Sequence, residues 1–122
     1  MNNKHTGLIR LSRATVYSFQ GIRAAWRHEA AFRQEIVLGA LAIAVACWLD
    51  IDAISRLLLI LPVILVAVVE LLNSAIEALI DRVSPERHPL AGRAKDMGSA
   101  AVLMAIVLAA TSWLTLLWHH YG

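Results

Sequence analysis

From Met97 to Trp118 the chain runs 22 residues without a charged side chain, which meets the roughly 20 residues a helix needs to cross a bilayer. Two further apolar segments precede it. One is uncharged from Ile36 to Leu49; the other runs from Leu57 to Ile80 and is interrupted by Glu70, Asn73 and Glu77. These two reach span length only if polar residues enter the membrane with them. Composition agrees, with 59% hydrophobic residues, 16% charged residues and a mean hydropathy of +0.64, against about 45–50% apolar residues in a soluble domain. The expected class is therefore an all-α membrane protein. Its 122 residues form one domain, with a surface helix at about 6–28 and spans at about 30–49, 54–82 and 92–119.

Lysine and arginine set the expected orientation. Six (Lys4, Arg10, Arg13, Arg23, Arg27, Arg33) precede the first span, Arg56 alone lies between the first two, four (Arg82, Arg87, Arg93, Lys95) lie between the second and third, and none follows. Positive residues favour the cytoplasm, so the N-terminus is expected inside and the C-terminus outside. The N-terminal stretch lacks the apolar core of a signal peptide, which leaves insertion to the first span.

Leu8, Leu11, Thr15, Phe19, Ile22 and Trp26 recur at helical spacing, with Arg10, Arg13, Gln20, Arg23 and Arg27 largely off that stripe. This predicts an amphipathic helix lying in the interface of an anionic leaflet, or else a basic topology signal with no other task. Cys47, the single cysteine, reads as a core filler. Pro62 should bend the second span, and the prolines and glycine of Ser84 to Gly92 should end it. His119 and His120 read as a plain polar terminus. Gly98, Ala101, Ala105, Ala109 and Ser112 form a small-residue stripe suited to close helix approach. A three-span chain has little interior of its own, so association of several copies is expected to bury the polar positions.

The feature that asks for a function is the polar strip. At 100° per residue, Asn73 and Glu77 lie about 60° and 20° from Glu70, so the three share one narrow stripe. An ionisable side chain at bilayer depth costs about 2.5–3.5 kcal/mol on insertion scales and normally marks a functional site. Counting from Leu57 at 1.5 Å per residue, Glu70 lies about 20 Å and Glu77 about 30 Å into a core of about 30 Å. Glu77 is then at the cytoplasmic water line, where a soluble charged reactant reaches it. Glu70 is two turns deeper, where a reactant held in lipid meets it.

Other polar residues fall at the same level. Glu29, Arg33, Gln34 and Glu35 flank the start of the first span, and Lys95 and Asp96 the start of the third. Paired carboxylates suit Mg²⁺, which keeps waters and is usually bound with substrate phosphates, and nearby cations stabilise charge in phosphoryl transfer. A site in which a carboxylate deprotonates a lipid hydroxyl is one reading. A structural network between helices and a proton- or cation-coupled transporter are the others. No P-loop and no Gly-rich kinase loop is present.

The stretches "EAAFRQE" (Glu29 to Glu35), "ELLNSAIEALIDR" (Glu70 to Arg82) and "GRAKDMGSAAV" (Gly92 to Val102), extended by "GIRAAWRHEAAFRQE" and "ACWLDIDAISR", closely resemble the prokaryotic integral-membrane diacylglycerol kinases. The resemblance covers nearly the whole chain. It implies a homotrimer of three-span protomers, each with an amphipathic surface helix, in a bacterial inner membrane. It also implies transfer of the ATP γ-phosphate to diacylglycerol with Mg²⁺, at a site shared between protomers, and no nucleic-acid partner.

Matched residue by residue, the resemblance makes Glu70 the general base and Glu29 and Glu77 the metal-binding carboxylates, both also at the nucleotide. It places Arg10, Tyr17, Asn73, Glu86, Arg87, His88, Lys95 and Asp96 at ATP. Lipid contacts are implied for Ala14, Ser18, Arg23, Ala31, Gln34, Glu35, Trp48, Arg56, Glu70, Ser99 and Trp113, and for Arg10, which is shared between the two substrates. Two places depart from the family pattern: Pro62, and "HPLAG" with Pro89 and Ala91. An undecaprenol kinase of the same family and a carboxylate-driven transporter are the alternatives, the first disfavoured by the Trp48 and Trp113 regions.

Overall fold

The computed structural model describes residues 3–84 and 86–122, with side chains from Thr6 onward. The side chain of Lys4 and Pro85, which enter the orientation and loop readings, lie outside the described residues. The described chain is helical throughout: α1 (Asn3–His28), α2 (Ala30–Trp48), α3 (Ala53–Val83) and α4 (Pro89–Tyr121). The last three are each long and apolar enough to cross a membrane. At 1.5 Å per residue α3 and α4 run to about 46 and 50 Å, longer than a core of about 30 Å.

α3 is the central element, packing on α2 along one side and on α4 along the other, while among the described residues α2 and α4 make no close backbone approach to each other. Glycine permits the approach on both sides. A Cβ on Gly39 would come within 3.1 Å of Val63 Cγ1, and one on Gly98 would collide with Asn73 Oδ1. The stripe on α4 is thus used within the protomer, Gly98 and Ala105 being buried against α3, while Ala101 stays exposed.

The interior is thin. Ala46, Ile51, Leu59 and Leu116 form a buried cluster at the hairpin end, with Leu49, Ile60 and Trp113 against it. Most large apolar side chains, Leu38, Leu103 and Leu114 among them, are exposed, as lipid-facing or interprotomer surfaces are. Cys47 is exposed beside buried Ala46 and does not fill the core, because α2 has only one packed face.

Local chemistry explains the helix ends. Arg56 reaches back from α3 and donates from Nη1 to the carbonyls of Ala46 (2.6 Å), Cys47 (2.9 Å) and Leu49 (3.1 Å) and from Nη2 to Ile51 (3.0 Å). One guanidinium therefore closes the otherwise unpaired C-terminal carbonyls of α2. Asp52 caps α3 by accepting from the Ser55 backbone N–H (3.3 Å) and hydroxyl. His120 Nε2 stands 3.2 Å from Ser55 Oγ, so His120 ties the end of α4 to the start of α3 and is not a plain polar terminus.

α3 runs through Pro62 as one helix. Trp113 Nε1 donates to the Leu59 carbonyl at 2.9 Å, next to the Leu58 carbonyl, which loses its helical partner because Pro62 has no N–H. The break after α3 is shorter than the Ser84–Gly92 reading, because Pro89 opens α4 and Gly92 lies inside it. Proline is well suited to a first helical turn, where its missing N–H has no partner to lose.

Candidate active site

One end of the molecule gathers the charges, and it begins at the elbow between α1 and α2. Only Glu29 interrupts the two helices; its φ of −118° and ψ of 104° are extended. Arg33 fixes this turn by donating from Nη1 to the carbonyls of Trp26 (2.8 Å) and Arg27 (3.2 Å) at the end of α1. Ala25 and Phe32 are buried inside the bend. A backbone held from both sides in this way places the half-buried Glu29 side chain toward α3.

On α3, Glu70 is 6% exposed and Ser74, one turn on, 8%. Glu35 of α2, Glu77 and Glu29 all stand close enough to Glu70 to act on it electrostatically. No three acidic, histidine or cysteine side chains among the described residues stand close enough together to hold a metal ion, so the four carboxylates Glu29, Glu35, Glu70 and Glu77 are near one another without forming a ligand cluster. None of them makes a direct ion pair or accepts a side-chain hydrogen bond among the described residues. Carboxylate oxygens left open in this way are the kind of hard ligand a divalent cation takes. Asn73 on the same stripe has its Oδ1 buried with no hydrogen-bond partner among the described residues.

Beyond Glu77 the strip continues to Asp81, whose Oδ1 accepts from Lys95 Nζ of α4 at 2.8 Å. Glu77 also acts on that lysine. Both Asp81 and Lys95 line an open groove of about 610 Å³ shared with Glu86, Arg87 and His88. His88 caps α4, its Nδ1 accepting from the Leu90 N–H at 3.1 Å. Asp96 is exposed beside Lys95.

The remaining predicted residues are divided. Ser18 and Glu29 share a largely apolar groove of about 520 Å³ with Leu71, Ser74 and Ala75 of α3. Arg10, Ala14, Tyr17 and Arg23 are exposed on α1, which among the described residues has no close backbone approach to α4. Ala31, Gln34 and Ser99 are exposed, and Trp48 is exposed on α2. Arg56 and Trp113 have their polar groups engaged by backbone carbonyls at the opposite end. Glu35 and Trp113 nonetheless bound the two ends of a trench of about 340 Å³ between α2 and α4, floored by Val63 and Val66 of α3. Asp81 is the site residue that the sequence does not single out, whereas Arg33 and Gly98 stand out there only as a polar residue at the start of the first span and as a member of the small-residue stripe. The i, i+4 spacing of Glu77 and Asp81 was the one available signal.

A lipid-facing all-α protein with three helices able to cross a membrane, and with carboxylates and a lysine gathered at one end of them, is the class that fold and site define. The model of the family described as prokaryotic diacylglycerol kinase matches residues 16–117, and the chain belongs to that family. It is 60% identical over all 122 residues, the full length of both chains, to diacylglycerol kinase of Escherichia coli strain K12. It is 53% identical over 112 residues to that of Pseudomonas aeruginosa, covering 92% of this chain and 91% of the relative. For Helicobacter pylori strain 26695 the identity is 45% over 118 residues, covering 97% and 88%.

Proposed function

We propose that this protein transfers the γ-phosphoryl group of ATP to the free hydroxyl of diacylglycerol within the membrane, giving phosphatidic acid and ADP. The observation that carries this reading is the placement of Glu70. It is buried at span depth, next to α3 residues that floor an apolar trench, while Glu77 and Lys95 lie toward the loop groove. A lipid with its chains along the trench and its hydroxyl at Glu70 would meet a nucleotide entering from the groove. The names of the relatives, diacylglycerol kinase in each case, point to the same acceptor.

In the proposed step Glu70 takes the hydroxyl proton. The lipid oxygen bonds to the γ-phosphorus as the bond from that phosphorus to the bridging oxygen breaks, and ADP departs. Phosphoryl transfer asks mainly for positioning and for cations about the phosphates. Lys95 and Arg10 supply charge, and Tyr17, Asn73, Glu86, Arg87, His88 and Asp96 complete the nucleotide contacts. Glu29 and Glu77 would hold Mg²⁺, which when bound neutralises phosphate charge. Neither makes an ion pair or a side-chain hydrogen bond among the described residues, which leaves their oxygens open to such an ion.

The site is proposed to be shared within a homotrimer in a bacterial inner membrane, N-terminus cytoplasmic, with α1 on the membrane surface. The separation of α1 from α4 inside one chain supports the sharing, since Arg10 and Tyr17 then reach Lys95 across a protomer boundary. The test is ADP release by purified protein in mixed micelles with ATP, comparing diacylglycerol, undecaprenol and no added lipid. Release that needs both diacylglycerol and Mg²⁺ is expected. A preference for undecaprenol reassigns the acceptor, and no lipid-dependent release from a folded oligomer rejects the kinase reading.

A further inference from the structure

The contact between Lys95 and Asp81 has a chemistry that the proposed mechanism does not use. The two side chains are 43% and 66% exposed and meet at 2.8 Å, and ion pairs so open to water add little to stability. The consequence of the contact is geometric. Lysine carries its charge on a flexible four-carbon stem, and left alone that stem would spread the ammonium over many positions at the mouth of the groove. Asp81 removes this freedom from the neighbouring helix. It also accepts from only one of the three ammonium N–H groups, leaving two for another acceptor in the same groove.

We propose that Asp81 is a positioning residue for the nucleotide: it holds the Lys95 ammonium at the groove that Glu86, Arg87 and His88 complete, so that phosphate oxygens meet a cation already in place. The inference rests on the reading of Lys95 as a phosphate contact. Glu77 is the other carboxylate acting on Lys95 and lies one turn deeper on α3. With Asp81 absent, Glu77 would draw the ammonium toward the carboxylate cluster and away from the groove. Ordering one rotamer-rich side chain in advance corresponds to roughly a three- to tenfold gain in affinity.

The experiment measures KM for Mg-ATP and for diacylglycerol in Asp81→Ala, Asp81→Glu, Lys95→Ala and the Asp81→Ala, Lys95→Ala double variant. Size-exclusion chromatography checks assembly, and Asp81→Asn replaces Asp81→Ala if the latter fails to assemble. Asp81→Ala is expected to raise KM for Mg-ATP roughly three- to tenfold with kcat and the lipid KM near wild type. Asp81→Glu should restore part of the loss, and Asp81→Ala should add nothing once Lys95 is gone. A wild-type KM in Asp81→Ala alongside a raised one in Lys95→Ala overturns the positioning role and leaves the phosphate reading standing. An equal added loss in the double variant also overturns it, because Asp81 then acts independently of Lys95. A wild-type KM in Lys95→Ala rejects the phosphate reading, and the proposal with it.

Discussion

Gly98 of α4 lies so close to Asn73 of α3 that a Cβ atom on it would collide with the Asn73 Oδ1. That oxygen is buried and accepts no hydrogen bond among the described residues. The pair sets the separation of the two helices one turn from Glu77 on α3 and one turn from Lys95 on α4, so it bears on the register of the charged groups.

Gly98→Ala should therefore destabilise the protein by about 1–3 kcal/mol, the usual cost of overpacking, and should lower turnover by moving Asn73. Thermal denaturation in detergent, with ADP release measured in parallel, checks both. Adding Asn73→Ala should recover stability but not activity. Unchanged stability in Gly98→Ala would mean that the Asn73 side chain swings aside freely.

Arg56 makes four charge-assisted hydrogen bonds to the carbonyls closing the α2–α3 hairpin. Its replacement by alanine leaves those carbonyls open and should cost about 2–4 kcal/mol, given about 1.5–3 kcal/mol for a hydrogen bond to a charged group and incomplete additivity. Arg56→Lys should recover little, since a single ammonium lacks the planar fork. Should Arg56→Ala keep its stability and raise the KM for diacylglycerol, the residue contacts the lipid instead.

Much of this architecture is legible in the sequence, for physical reasons that differ residue by residue. The helices of the spans follow from long apolar runs, and Glu70 and Glu77 stand out because ionisable groups inside such runs are costly. Arg56 and Arg33 are illegible in their actual roles. A long side chain finds its carbonyls only once the chain has turned back on itself, and spacing does not reveal that. Cys47 misleads because an apolar run cannot say which of its faces meets lipid. Pro89 reads as a helix stop and is a helix start, since the same ring serves either purpose depending on the chain before it. Asp81, at the end of a polar strip, gains its meaning only from Lys95 across the helix pair.

The hairpin end should respond to acid. The Ser55 hydroxyl first, and then its backbone N–H, hold the Asp52 carboxyl below its ordinary value of 3.8. A depressed folded pKa stabilises fully above the unfolded value and is lost as pH falls through the folded one, which puts the window below about pH 4. The wild-type melting temperature should fall more between about pH 5 and pH 3 than that of Asp52→Asn, which still caps the helix but does not titrate. Identical acid slopes in the two proteins would show that the cap is not linked to this proton.

Single-turnover phosphoryl transfer by Glu70→Gln asks whether Glu70 removes the proton from the lipid hydroxyl. Glutamine keeps the shape and the buried position but cannot take the proton. A loss of about 10²- to 10⁴-fold in the chemical step, the range general base catalysis supplies, is expected with Mg-ATP affinity close to wild type. Transfer at the wild-type rate in Glu70→Gln would remove Glu70 from that role and move the base to another of the neighbouring carboxylates.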